Sequence, residues 1–162
     1  MPFDKGLTAV LGPSGCGKSN VVDAIKWVLG EKSAKNLRGE EMLDVIFSGC
    51  ASRSASGMAE VKLTFDNTDG VLPLPYNEVC VGRRLYRSKE SEYFINNNKC
   101  RMNDVRDLFL DTGVGSSAYS VIEQGRVEAL LHAKPPDRRA AFDEAAGLAP
   151  AKVTRKEILS RL

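Results

Sequence analysis

The residues best suited to chemistry form one loop near the start of the chain: Gly12, Pro13, Ser14, Gly15, Cys16, Gly17, Lys18 and Ser19. The run matches the phosphate-binding pattern G-x-x-x-x-G-K-S at every fixed position. Glycines let the backbone curl so that its N–H groups point at phosphate oxygens, and a following helix adds the positive end of its dipole. Lys18 would then reach the β- and γ-phosphates of ATP, and the Ser19 hydroxyl would bind Mg²⁺.

The segments on either side of the loop have the character that such a site requires. Residues 7–11 are nearly all apolar and predict a short buried strand. From Val21 to Leu29 apolar residues recur at helical spacing, and Gly30 stands where a helix would end. Strand, loop and helix in this order favour a true phosphate site over a chance turn rich in glycine and serine.

Composition limits the class of protein. The 162 residues suffice for one domain, 43% of them are hydrophobic, and the net charge of +2 argues neither for nor against nucleic acid. Four cysteines without C-x-x-C spacing and a single histidine argue against a zinc site and fit a reducing cytosol. No apolar run approaches the roughly 18 residues of a membrane span, and the N-terminus lacks a signal pattern, so we expect a cytoplasmic protein.

The rest of the chain predicts an α/β fold with an appended antiparallel sheet. Residues 33–49 predict a mixed loop with short helical turns. Residues 58–66 alternate cleanly between apolar and polar, which is typical of a half-buried antiparallel strand, and a turn follows at residues 67–70. Two further stretches, residues 78–87 and 92–96, are strand-like, and a turn at residues 96–98 leads into residues 99–101.

Helical signals dominate the last third. Asn103 is a plausible N-cap for a helix over residues 104–111 that stops at Gly113. A short strand over residues 119–122 is followed by a helix from about Pro136 to Ala146. Residues 152–162 are polar and helix-friendly, and are compatible with the start of a coiled coil.

Six basic residues cluster between positions 83 and 101: Arg83, Arg84, Arg87, Lys89, Lys99 and Arg101. A DNA footprint is one interpretation. A solvated outer sheet face is at least as good an interpretation of this feature alone.

Two common classes of phosphate-loop protein fit poorly. The order of elements disfavours the repeated βαβ units of a nucleoside kinase, and we find no acceptor-site base or lid arginines for a small-molecule kinase. Residues 108–112 are the nearest string to a Walker B strand, but their context is charged and helix-like. No N-K-x-D motif is present, so a GTPase is a weak interpretation.

A longer series of motifs resembles, in order, the N-terminal head segment of bacterial SMC proteins, the chromosome-condensing ATPases of the ABC superfamily. After the phosphate loop, the resembling segments are residues 19–31, 33–39, 44–49, 59–67, 86–88, 92–96, 120–126 and 142–147. The resemblance covers nearly the whole chain. It implies an ABC-type P-loop head lobe with an antiparallel sheet and C-terminal helices leading toward a coiled coil. Residues 1–150 would be the N-terminal half of the head, and residues 151–162 the start of the coiled-coil helix.

The resemblance also implies roles for individual residues. Asn20 extends the ATP-binding loop. Gln124 resembles the Q-loop glutamine, whose amide oxygen would complete the coordination of Mg²⁺ and sense the γ-phosphate. Arg38 resembles the R-loop arginine, which would touch nucleotide phosphate or act near DNA, although a surface salt bridge is the alternative. Arg101 matches a basic residue of the DNA-facing surface of such heads, whereas Asn103 and Glu41 do not match that pattern.

Catalytic parts of the family are not found in this sequence. In ABC ATPases the signature loop, the Walker B aspartate, the catalytic glutamate and the switch histidine come from the C-terminal head segment. We therefore expect no catalytic residue here, and as partners a C-terminal SMC head segment, a second head in a homodimer, a kleisin-type subunit and DNA, with no membrane. Heads of this kind carry a strand before the one at residues 7–11, so we expect the chain to be a fragment or the product of a truncated reading frame.

The sequence thus predicts the ATP-binding half of a nucleoid-associated chromosome-condensation and segregation ATPase. A recombination-repair ABC-type ATPase is the nearest alternative, and residues 33–39 and 143–147 favour SMC. Two rival interpretations come from different classes of protein: a P-loop small-molecule kinase, and a binding module that does not hydrolyse ATP.

Overall fold

A computed structural model describes residues 1–109 except Asp4, together with Thr112, His132, Pro135 and Arg139. Helix α1, Lys18–Val28, follows the phosphate loop, and two 3₁₀ turns, Lys35–Leu37 and Met42–Val45, connect it to the sheet. The remaining elements are strands β1 (Met58–Asp66), β2 (Glu78–Tyr86), β3 (Ser91–Ile95) and β4 (Asn98–Cys100), then helix α2 (Met102–Leu108).

The four strands form an antiparallel sheet in the order β1-β2-β3-β4. The alternation of residues 58–66 is confirmed, because β1 has those bounds and its half-buried side chains fall on every second residue. Asn96 and Asn97 join β3 to β4 with φ of 46° and 66°, which a two-residue type I′ hairpin turn requires. The predicted antiparallel sheet is therefore confirmed.

Helix α1 lies on the inner face of this sheet and contacts β1 and β2. The buried residues of α1 are in its last turn, where Val28 packs in one cluster with Val79 and Val81 of β2. Gly30 follows with φ of 103°, a left-handed conformation that ends the helix, as its position in the sequence predicts. The loop end of α1 is open, and its C-terminal end is fixed in the core.

Arg83 is a charged residue inside this core, with only 5% of its surface exposed. Its guanidinium carbon lies 4.8 Å from the ring centre of Trp27 and 4.9 Å from that of Tyr93. Its Nη1 donates to the backbone oxygens of Trp27 at 2.9 Å and Glu31 at 2.8 Å. Burial lowers the pKa of Arg83, although Tyr93 and Glu31 oppose that shift. Arg83 thus joins the C-terminal end of α1 to the sheet.

The buried strand predicted for residues 7–11 is wrong. The segment has no strand hydrogen bonding, and Leu7 and Leu11 are 99% and 88% exposed. A strand needs a neighbour for its backbone groups and a surface to cover its apolar side chains. Among the described strands none pairs with residues 7–11, so the apolar run lies open.

The predicted start of the second helix is also wrong. Its N-cap is Arg101, and Asn103 lies inside the helix. The Asp104 carboxylate accepts a hydrogen bond of 2.7 Å from the backbone N–H of Arg101, which fixes the first turn earlier than predicted.

Several predicted features lie outside the described residues: Gly113, the strand over residues 119–122 and the helix over residues 152–162. Of the helix predicted from about Pro136 to Ala146, only Arg139 is described, and it is helical. Over the described part of the chain, no helix has the length and apolar character needed to cross a membrane.

Candidate functional site

The loop over residues 12–19 is tightly curled. Gly15 and Gly17 have φ of 80° and 92°, in the left-handed region that favours glycine. A Cβ on Gly12 would lie 2.7 Å from the Cys16 sulfur, closer than such atoms approach. The backbone conformation therefore favours glycine at Gly17, a fixed position of the pattern, and at Gly15, which stands at a free position.

Lys18 lies across this curl. Its ammonium donates to the backbone oxygens of Gly12 and Pro13, both at 2.7 Å, and lies 3.8 Å from the Cys16 sulfur. These contacts fix one positive charge at the loop, where a phosphate would need it.

The N-terminus of α1 adds to the same positive region. The first turn contains no acidic residue, so no carboxylate there competes for its free N–H groups. Ser19 and Asn20 are exposed in that turn. The donor set fits a triphosphate with Mg²⁺: backbone N–H groups and an ammonium for the phosphates, and a hydroxyl for the metal.

Arg38 reaches α1 from the first 3₁₀ turn. Leu37, which is buried, anchors that turn, and the Lys26 ammonium donates to the Asn36 backbone oxygen at 2.6 Å. Asn36 and the backbone N–H of Ser33 donate to the Glu31 carboxylate; although burial raises its pKa, these hydrogen bonds lower it below the ordinary value. Together these contacts hold the turn against α1.

The guanidinium of Arg38 bonds to two side chains of α1. Its Nη2 lies 3.3 Å from Asn20 Oδ1, and both Nε and Nη2 donate to the Asp23 carboxylate. The structure therefore brings Arg38 to the phosphate-loop helix and pairs it with an acid there, which is the salt bridge given as the alternative in the sequence analysis. A contact between Arg38 and nucleotide phosphate or DNA is still a prediction. Sequence reasoning missed Asp23. The only sequence signal for it is its spacing, four residues after Ser19 on one helix.

A groove of about 480 Å³ lies between the 3₁₀ turns, α1 and β1. Asn20, Asp23 and Arg38 line its polar side, and Trp27 and Val61 its apolar side. The groove gives Arg38 and Asp23 open space next to the first turns of α1.

Of the other predicted site residues, Arg101 is described and does not join this cluster. A Cβ placed on Gly30 would lie 3.9 Å from Met102 Cγ, so Arg101, which precedes Met102, lies near the C-terminal end of α1. That end of the helix is roughly 16 Å from the loop by helix length. Gln124 lies outside the described residues, so its place at the site is still a prediction.

The basic cluster at residues 83–101 is divided by the sheet. Arg83 is buried on the inner face, while Arg84 pairs with Glu60 at 2.7 Å and Lys99 with Glu92 at 2.7 Å. Arg87 donates to the backbone oxygens of Ser56 and Phe47. These contacts favour the interpretation of a solvated, ion-paired outer face over that of a basic patch.

Comparison with sequence families gives one match over most of the chain. The sequence model of the RecF/RecN/SMC N terminal domain matches residues 1–141. Chromosome partition protein Smc of Desulfitobacterium hafniense is 53% identical over 162 residues, and that of Bacillus subtilis is 54% identical over 160 residues. These alignments cover 100% and 99% of this chain but only 14% of each relative.

Solved structures give the same result. One neighbour, from work on ATP-driven dimerization and DNA-stimulated activation of SMC ATPases, has a TM-score of 0.81 and 34% identity, covering 90% of this chain and 87% of its own. The Smc head domain of Pyrococcus furiosus, with an extended coiled coil and bound to the C-terminal domain of ScpA, has a TM-score of 0.86 and 32% identity. That match covers 99% of this chain and 40% of the neighbour.

Proposed function

The chain belongs to the RecF/RecN/SMC N terminal domain family, and we propose that it is the ATP-binding half of an SMC-type chromosome-partition ATPase head. The observation that carries the proposal is the curled loop with Lys18 fixed across it, at the start of a helix whose first turn is free of acids. The relatives named Smc favour this branch of the family over a recombination-repair ATPase.

Residues 12–20 would hold the phosphates, with Ser19 and Gln124 as ligands of Mg²⁺ and Arg38 as a second positive group. Bound Mg²⁺ would supply charge neutralisation at the phosphates. The chain's own residues supply binding and orientation: the loop N–H groups face the phosphates, and Lys18 adds a fixed charge.

The proposed partners of the chain follow from its membership of the same family. We propose that a C-terminal head segment completes the fold, that two heads associate around ATP, and that a kleisin-type subunit and DNA bind the complete protein in the nucleoid. Dimerization driven by ATP and binding to ScpA are properties of the neighbouring structures, which supports this assignment. Within it, residues 1–150 are head and residues 151–162 begin the coiled coil, and Arg38 and Arg101 are candidates for DNA contact.

Titration of the 162-residue chain with Mg–ATP, by calorimetry, tests the binding function. Lys18→Ala removes the ammonium that the loop holds in place, so affinity should fall by roughly 1.5–3 kcal/mol, the contribution of a charged hydrogen bond. Lys62→Ala is the matched control, because Lys62 lies on β1 and pairs with Glu60 at the outer sheet face. Equal affinities for the wild type and Lys18→Ala would contradict the assignment of the site.

A further inference from the structure

The contact between Arg38 and Asp23 joins two segments that the sequence keeps apart. Nε of Arg38 lies 3.0 Å from Asp23 Oδ2, Nη2 donates to that same oxygen, and Nη2 also lies 3.3 Å from Asn20 Oδ1. The arginine side chain is 53% exposed and that of Asp23 20%. A pair with this much solvent contact contributes little to stability, so the guanidinium can exchange one anionic partner for another.

The position of Asp23 makes such an exchange relevant to the loop. Asp23 follows Ser19 by four residues and Asn20 by three on α1, so the three side chains share one helix face. Helical side chains lean toward the helix N-terminus, which places the Asp23 carboxylate on the loop side of its own Cα. The carboxylate therefore lies beside the part of α1 that would carry phosphate and Mg²⁺.

The backbone of Arg38 is fixed, while its side chain is half exposed beside a groove. Its φ of 58° is left-handed, a conformation uncommon for arginine, and hydrogen bonds hold it: Arg38 N–H to Lys35 O at 3.1 Å and Gly39 N–H to Ala34 O at 3.0 Å. Leu37 is buried directly before it. The groove beside α1 leaves room for the guanidinium to move between partners.

We propose that Asp23 is a positioning residue that holds the Arg38 guanidinium beside Asn20 until a triphosphate at the loop competes for it. The proposal rests on the proposed function. In the free protein, Asp23 neutralises Arg38 and keeps it on the helix face. When phosphate binds, the guanidinium transfers from a carboxylate to phosphate oxygens, for which its planar fork is equally suited. Asp23 thus lowers the affinity of the loop for the triphosphate. It also makes the contact between Arg38 and phosphate oxygens depend on the presence of the triphosphate.

A double-mutant cycle in the 162-residue chain tests this role. Asp23→Asn should raise the affinity for Mg–ATP by about five-fold, the low end of ordinary coupling between sites, when Arg38 is present. In an Arg38→Ala background the same change should alter affinity by less than about two-fold, because no guanidinium is left to release. Asp23→Glu, which keeps the charge, should bind like the wild type.

Glu92→Gln is the matched control. It removes the same charge from a residue on the outer sheet face, where Glu92 pairs with Lys99. An affinity gain for Glu92→Gln as large as that for Asp23→Asn would show a general charge effect and overturn the proposal. An equal gain with and without Arg38, an unchanged affinity or a loss of affinity for Asp23→Asn would also overturn it.

A second measurement needs no variant at Asp23. The Nε–H resonance of Arg38, assigned by its absence in Arg38→Lys, should shift when Mg–ATP is added to the wild type, and an unshifted resonance would contradict the exchange. The titration of Lys18→Ala separates the two proposals. If affinity depends on Lys18 but not on the pairing of Asp23 with Arg38, the proposed function stands and the positioning role fails.

Discussion

At the phosphate loop, chemistry and backbone shape depend on the same few residues. The glycines allow the curl, and the curl presents the carbonyl oxygens of Gly12 and Pro13 to the Lys18 ammonium. Every one of these contacts lies within six residues of sequence. That is why the pattern alone could predict this part of the site.

The contact between Arg38 and Asp23 could not be predicted from a local pattern. Fifteen residues separate them, and their contact depends on how a 3₁₀ turn lies against α1. The family resemblance indicated Arg38, but nothing local in the sequence indicates its partner. Pairings made by tertiary packing require the structure.

One prediction at the residue scale concerns Gln124. If its amide oxygen is a ligand of Mg²⁺, Gln124→Ala should weaken binding of ATP in Mg²⁺ and leave binding in a chelator unchanged, since only the metal-dependent part is lost. The effect should be modest because water can take the vacated position. Paired titrations with Mg²⁺ and with EDTA measure it, and Asn98→Ala, an exposed amide on β4, is the control. The same loss in both conditions would indicate a structural role instead.

At the scale of elements, the alternation of apolar and polar residues predicted β1 well, but it did not predict the buried charge of Arg83. The bounds of β1 follow from alternation, because one face is covered by α1 and the other is solvated. Arginine is a residue type usually found at the surface, so the sequence did not indicate that Arg83 is buried. Its burial arises because two rings and two backbone oxygens from separate elements surround it.

Arg83→Met should destabilise the connection between α1 and the sheet. The variant loses contacts with two aromatic rings and leaves the Glu31 backbone oxygen without this donor, so we expect a loss of roughly 2–4 kcal/mol in the free energy of unfolding. Urea denaturation followed by circular dichroism measures it. Arg84→Met, the next residue on the opposite face, should lose less. Equal losses for the two variants would contradict the structural role assigned to Arg83.

At the scale of the whole molecule, the segment over residues 7–11 is a feature that the sequence predicted wrongly. Its apolar character predicts burial, yet Leu7 and Leu11 lie open among the described residues. The local pattern of apolar residues indicates which side chains are suited to a core. It does not indicate which other segment of the protein covers them. The chain spans 14% of the length of the curated relatives it matches, and we propose that a C-terminal head segment covers these residues.

Steady-state phosphate release, with and without an added C-terminal SMC head segment, tests the central claim most directly. The described loop supplies phosphate contacts, while hydrolysis also requires a positioned water and a carboxylate to orient it. We therefore predict near-background release by the 162-residue chain alone and a marked increase when the segment is added, lost again in Lys18→Ala. Turnover by the isolated chain above about 1 s⁻¹, the low end of ordinary enzyme rates, and abolished by Lys18→Ala, would contradict the claim that this chain is only the ATP-binding half.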